Sequence, residues 1–421
     1  MWDKWFILFF ISSAVWGNAV DGIRFPFIGS LFPLRIAILL FVILVWYKTY
    51  IIGEPITVLQ NSPFRGPRLR NLTLYTFLVM MVTGLLTMYW AYNQIAVIVD
   101  LVTWVTSFAC IAISLSFLKK RENIIFAAGI YIINYLIIGG IGIYESFTGD
   151  YFNLAYEFYT RQTNVLGLYM PASIMMNINN LAIFMALSMP ICFIGTTKLK
   201  AKGLIDLLLM AFGGFVIVLT GCNTALLLLC AVLLMYVIMD RKRKTAWLII
   251  AVIAMILIAF GSVVANVFYE LINYSAGNEP RLEAWKNIIG VSWKYYFMGV
   301  GPGNGTTVNI LYKVNSTAVG VAHNYVLTVF EEFGFIAAIM FVFWLGKMIY
   351  NMIVVYRGSK DSLMKYALMF FIIFVPSTIC MSTMVGYFYY WAEFGLLMAL
   401  AEIVEKEQLE TENIQLEREV V

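Results

Sequence analysis

The sequence predicts an all-α polytopic membrane protein of about twelve transmembrane helices, with a long non-cytoplasmic loop between spans 9 and 10. Three observations carry this expectation. Of 421 residues, 62% are hydrophobic and only 12% are charged, a balance foreign to soluble globular domains. Apolar runs near the ~20 residues that a bilayer-crossing helix requires recur along almost the whole chain. Lys and Arg fall in every second loop. A membrane β-barrel would instead alternate apolar and polar residues over about ten positions, and no such alternation is present.

In chain order the expected spans are 4–20, 31–50, 72–91, 94–118, 122–142, 171–195, 203–219, 223–240, 245–267, 324–350, 364–382 and 387–403. Lys48, Arg65, Arg68 and Arg70 separate the second from the third, and Lys119, Lys120 and Arg121 the fourth from the fifth. Lys198, Lys200 and Lys202 follow the sixth span, Arg241 to Lys244 the eighth, and Lys347, Arg357, Lys360 and Lys365 mark the junction of the tenth and eleventh. With an even number of spans, the positive-inside rule puts both termini in the cytoplasm. The chain then divides into spans 1–9 (1–267), a non-cytoplasmic loop with an interfacial helix (268–323), spans 10–12 (324–403) and an acidic cytoplasmic tail (404–421). An N-terminal helix kept in the mature protein is preferred over a cleaved signal peptide.

The net charge of +4 calls for no nucleic-acid partner, because the basic residues serve as topological signals beside anionic lipid. Cys110, Cys192, Cys222, Cys230 and Cys380 all lie in apolar runs without CxxC spacing, which argues for neither a metal site nor a disulfide framework. No cofactor is expected.

Arg24, Arg35, Arg161, Arg281, Lys286, Lys294 and Lys313 remain on the outer side, unexplained by orientation. An arginine offers a permanently charged planar fork suited to phosphate oxygens, whereas a solitary surface arginine pairs with a headgroup or a nearby Glu. The latter reading is preferred for Arg24, Arg35 and Lys294. Around Arg281, Asn278-Glu279-Pro280 has the composition of a helix start, and Leu282, Trp285, Ile289 and Trp293 share one helical face. That pattern describes a helix lying in the interface, with Arg281 in a first turn whose free N–H groups also favour an anion. Lys286 on the same helix is a supporting cation. Arg161, by itself, is an arginine in a loop.

His323 is the single histidine and the strongest candidate. An imidazole titrates near neutrality and accepts a proton at working pH, and a helix N-terminus holds it neutral. It ends a long polar loop and opens a span, beside Asn324 and Tyr325 and ahead of Glu331 and Glu332. For Glu331 an arginine partner across the bundle is weighed against a carboxylate at a helix start. Gly299, Gly301, Gly303 and Gly305 suggest a phosphate loop, but no GK[ST] follows, so they are read as turn-formers.

Gly299-Val300-Gly301-Pro302-Gly303-Asn304, followed by His323-Asn324-Tyr325, Leu327, Glu331 and Gly334, resembles the signature of the bacterial O-antigen ligase and polymerase superfamily. The resemblance extends to Arg281 with Trp285, to Arg161 with Gly167, and to Tyr390-Trp391 with Gly395. It implies a metal-independent inverting glycosyltransferase of the membrane-embedded C-type fold, acting at the outer face of the cytoplasmic membrane. The implied donor and acceptor are polyprenyl-diphosphate-linked oligosaccharides; Arg161 and Arg281 would hold the donor diphosphate and His323 would activate the acceptor hydroxyl. Thr220-Gly221-Cys222-Asn223-Thr224 stands where many relatives carry a Ser-Arg pair, so that arginine's role has no counterpart here. The expected activity is polymerisation of repeat units into O-antigen, capsule or exopolysaccharide, with a chain-length regulator as a compatible partner. The alternatives are a ligase that moves finished glycan onto lipid or protein, and a lipid-linked oligosaccharide flippase. The flippase is disfavoured because the spans are nearly free of ionisable residues.

Overall fold

The computed structural model describes residues 2–17, 23–25, 29–47, 65–152, 163–164, 166–175, 177–239, 279–312, 323–378 and 384–420. Among them the N-terminal half comprises α1 (Trp2–Trp16), the antiparallel pair β1 (Ile23–Phe25) and β2 (Gly29–Leu31), α2 (Pro33–Tyr47), α3 (Arg65–Thr87), α4 (Gln94–Phe117) and α5 (Arg121–Thr148). Then come α6 (Ile178–Gly195), α7 (Lys202–Thr220), α8 (Asn223–Met239), α9 (Glu279–Lys294) and the short α10 (Gly305–Leu311). The last four are α11 (Tyr325–Phe333), α12 (Phe335–Ser359), α13 (Met364–Ser377) and α14 (Phe388–Val420).

The chain is an integral membrane protein of helical type. Six of the described helices, α3 to α7 and α12, are long and apolar enough to cross a bilayer, and α2, α8 and α13 are shorter apolar helices. Large apolar side chains such as Val42, Leu86, Ile133, Leu208, Ile238 and Ile336 point outward, as a lipid-facing surface requires. The core lies around α6 and the first half of α14, where residues 180–194 and 388–401 are buried without interruption. α6 packs against α5, α7, α8 and α13, and α14 packs against α4, α12 and α1.

Polar pegs fix the helices where lipid could not satisfy them. Trp16 Nε1 donates to Asn134 Oδ1 at 2.9 Å, Trp344 Nε1 to Thr73 Oγ1 at 2.8 Å, and Ser188 Oγ to Glu393 Oε1 at 2.7 Å. At the basic end of the bundle, Arg70 pairs with Glu402, while Arg121 reaches Asp361 at 2.7 Å and Glu407 at 2.5 Å.

Several expected boundaries shift. The third span begins earlier, because Arg65, Arg68 and Arg70 form the first turns of α3 instead of a separate loop. The sixth starts at Ile178, capped by Asn177, after a 3-10 turn at Ser173–Met175. The expected span 324–350 is two helices that meet at Gly334, so Glu331 and Glu332 close α11 and do not open a long helix. The last helix continues into the acidic tail as far as Val420. The expected ninth span, 245–267, lies outside the described residues.

Candidate active site

At the end of the bundle opposite the basic loops, residues 297–305 run beside the junction of α11 and α12. Val300 N–H donates to Glu331 O at 2.8 Å, Gly301 N–H to Glu332 O at 3.0 Å, and Phe335 N–H to Phe297 O at 2.9 Å. Two glycines make this approach feasible. Gly299 has φ +91° and a Cβ there would lie 2.6 Å from Glu332 O; Gly334 has φ +88° and a Cβ would lie 2.7 Å from Phe297 O. The clasp is tied to the α3–α4 turn, where Trp90 Nε1 donates to Gly299 O at 2.8 Å. Asn93 N–H donates to Asn304 Oδ1 at 2.8 Å, and Asn304 Nδ2 returns a bond to Asn93 O at 3.1 Å.

The clasp closes over carboxylates, not over a phosphate. The backbone N–H groups of Gly303 and Gly305 donate to the Glu332 carboxylate, which faces Asp100 of α4 and Glu331. Glu331 is 2% exposed and receives a hydrogen bond from the Asn309 side chain, while its Oε1 has no partner among the described residues. Asn287 Nδ2 in turn donates to Asn309 Oδ1 at 3.1 Å and so links α9 to α10. The short α11 precedes the spanning α12, and burial there pushes the Glu331 carboxyl up to about 8. Burial, with Asp100 and Glu331 close by, also holds the Glu332 carboxyl well above the ordinary range. The sequence-derived choices for Glu331, an arginine partner or a helix start, give way to a buried acid in the last turn of α11.

His323 stands at the head of α11, half-buried, with its backbone in the left-handed region at φ +44°. Asn324 is the N-cap, its side chain accepting from Leu327 N–H at 3.2 Å. Tyr325 N–H donates to Thr378 O at 2.9 Å, which ties the head of α11 to the end of α13. The Tyr325 ring is 1% exposed, stacked 6.2 Å from Trp104 and edge-on to Phe341 at 5.5 Å. Asn324 and Tyr325 therefore fix the head of α11, the first by capping and the second by packing.

α9 packs against α10 and α11. It turns Ala284, Asn287, Ile288, Val291 and Ser292 inward and leaves Ile289 and Trp293 exposed. Arg281 lies in the first turn of α9 by its backbone, and its side chain is outside the described residues. Lys286 points away from the bundle, paired with Glu283 at 2.9 Å. Arg161 also lies outside the described residues, but its downstream flank is anchored. Asn164 Oδ1 accepts from Leu166 and Leu168 N–H at 2.9 and 3.1 Å, and Asn164 Nδ2 donates to Leu219 O, near the end of α7, at 3.0 Å. The buried Glu145 carboxylate accepts the N–H groups of Phe152, Ala172 and Ser173 at 2.8, 3.0 and 2.6 Å.

Nothing in the sequence alone marks Asn93, Asp100, Asn164, Asn287, Asn309 or Glu332 as site residues. Most are single polar residues in ordinary loops or helices; only the glutamate pair and Asn304 sat in a visible motif. Tyr390, Trp391 and Gly395 belong to the packing of α14, where Trp391 lies edge-on to Trp104 at 5.5 Å. Arg35 lies over the Phe32 ring at 5.0 Å and Lys294 over Tyr312 at 4.7 Å, which accounts for both locally.

Residues 208–342, from within α7 into α12, match the O-antigen ligase family. That stretch contains Arg281, the glycine clasp and His323. The teichuronic acid biosynthesis protein TuaE of Bacillus subtilis (strain 168) is 22% identical over 365 residues, covering 82% of this chain and 74% of its own. Over residues 208–342 the chain is similar to the O-antigen ligase family, and over most of its length to a teichuronic acid biosynthesis protein, which supports an O-antigen ligase/polymerase-like family.

Proposed function

We propose that the chain is an inverting glycosyltransferase that polymerises polyprenyl-diphosphate-linked oligosaccharides into a surface polysaccharide at the outer face of the cytoplasmic membrane. The observation that supports this reading is His323 at the head of α11, followed at once by the Asn324 cap and the Tyr325–Thr378 tie, in the subassembly that also contains α9 and its Arg281. The imidazole is the one side chain of this subassembly suited by type to take a proton from a hydroxyl near neutral pH.

In the proposed reaction the acceptor hydroxyl gives its proton to His323 as its oxygen attacks the anomeric carbon of the donor. The bond from that carbon to the diphosphate oxygen breaks on the opposite face, and polyprenyl diphosphate leaves with the electron pair. Arg161 and Arg281 hold the departing charge. The scheme needs one base, two cations and an activated donor, and it routes no step through a metal or nucleotide. The name of TuaE favours a cell-surface glycan as product. A ligase shares every step and differs only in its acceptor. Against a flippase stands the distribution of carboxyls: among the described residues Asp100, Glu145 and Asp206 lie toward helix ends, and Glu393 is held by Ser188 inside the core.

The test is a deletion strain complemented with His323→Asn, His323→Ala or Arg281→Ala. Asn tolerates the left-handed backbone, so that variant separates chemistry from folding. Loss of a general base predicts a fall of about 10²–10⁴ in rate at normal membrane level. Accumulating single repeat units identify a polymerase and long unattached polymer a ligase. Full-length chains from both His323 variants would end the proposal.

A further inference from the structure

The flank between α3 and α4 contains a half-open cavity of about 250 Å³, remote from the glycine clasp. Thr73, Leu74 and Phe77 form one wall, and Ala109, Ala112 and Ser116 of α4 leave the opposite wall low. The lining is apolar apart from Arg70, Thr73 and Ser116 toward its basic end. Along α4 it reaches from Val105 to Ser116, a trench about 16 Å long by helical rise. One leaflet of a bilayer contributes about 15 Å of hydrocarbon. The trench begins at the basic end of the bundle, where Arg70 and Ser116 lie, and stops near mid-membrane.

Its mouth is positively charged. Arg70 is already neutralised by Glu402, but Arg68, Lys119 and Lys120, all exposed within about one turn of the mouth, have no ion-pair partner among the described residues. An apolar trench inside a bilayer gains nothing from hydrophobicity, since lipid tails are as apolar as its walls. Selection there comes from shape and headgroup charge, and basic residues at the surface of an anionic leaflet attract its lipids.

We propose that this trench binds one acyl chain of an anionic glycerophospholipid from the leaflet on the basic side, with the headgroup phosphate at Arg68, Lys119 and Lys120. The site is independent of the transfer reaction and takes from the topology only the position of the basic end. Its length fits a single-leaflet chain, and its charge favours an anionic over a zwitterionic headgroup by about tenfold or more.

The test uses the full-length protein reconstituted in nanodiscs of mixed phosphatidylglycerol and phosphatidylethanolamine, then released into mild detergent for native mass spectrometry. Wild type is expected to retain one phosphatidylglycerol. Ala112→Trp, which fills the trench, should reduce that retention about tenfold. The double variant Lys119→Gln/Lys120→Gln should retain a lipid without preference for phosphatidylglycerol, a readout that stands even if the Trp variant fails to fold. Gly140→Leu, on an open face of α5, should behave as wild type. Equal retention of both lipids by wild type and both trench variants would mean ordinary annular lipid and would overturn the proposal. So would a polyprenyl phosphate as the retained amphiphile from native membranes.

Discussion

His323 has its place because its own backbone and the residues that follow it are constrained: a left-handed φ, a cap at Asn324 and a tie from Tyr325 to Thr378. A non-glycine residue in that region stores roughly 1 kcal/mol or more, a cost that surrounding structure must offset. Glu331 poses a different constraint. Its carboxyl is raised from 4.5 to about 8 by burial, so the folded state holds a proton that the unfolded chain has lost. Its effect on stability is favourable below the unfolded value and disappears as pH rises through the folded one. Thermal unfolding in detergent should therefore show wild type losing stability between about pH 5 and about pH 8, by up to about 4 kcal/mol from this group. Glu331→Gln should flatten that part of the curve, and an unchanged slope would show that the carboxyl is ionised in place.

The glycine clasp and α11 work as a pair, because 297–301 and 331–335 exchange backbone hydrogen bonds that only close approach permits. Gly334→Ala places a Cβ against Phe297 and Met298 while forcing a positive φ, and Gly299→Ala does the same against Glu332. Each should destabilise by roughly 1–3 kcal/mol and reduce polymer formation, measured by melting temperature and by glycan profile. Gly140→Ala in an open helical position should be neutral or slightly stabilising. The motif was legible in sequence because glycines, a histidine and a glutamate pair stand out in an apolar chain. Its meaning was less legible. Hydropathy averages over about twenty residues, so it merged α11 with α12 and hid a break that depends on one positive φ at Gly334. The carboxylate clasp was hidden as well, since Asp100 lies more than two hundred residues before Glu332 and meets it only through folding.

Across the whole molecule, hydropathy and basic loops were enough to predict a helical membrane bundle, because bilayer thickness and anionic lipid act on composition directly. The inner order of the bundle was not so readable. α6 and the first half of α14 are apolar on all sides, which leaves no stripe to say which neighbour each faces. Nor did composition reveal that α14 keeps its helix through the acidic tail, where Arg70 and Arg121 hold it. Replacing both arginines by Ala should free residues 403–420, and trypsin cleavage after Lys406 should accelerate several-fold relative to wild type. Unchanged cleavage would mean that the two pairs carry no docking strength. α14 has 33 residues without interruption, about 50 Å of rod. One end carries Trp391 against Trp104, the ring on which Tyr325 is stacked, and the other projects past the basic loops. The tail and the Trp391 end of the Trp391–Trp104–Tyr325 packing thus belong to one rod, with no loop between them to absorb a displacement.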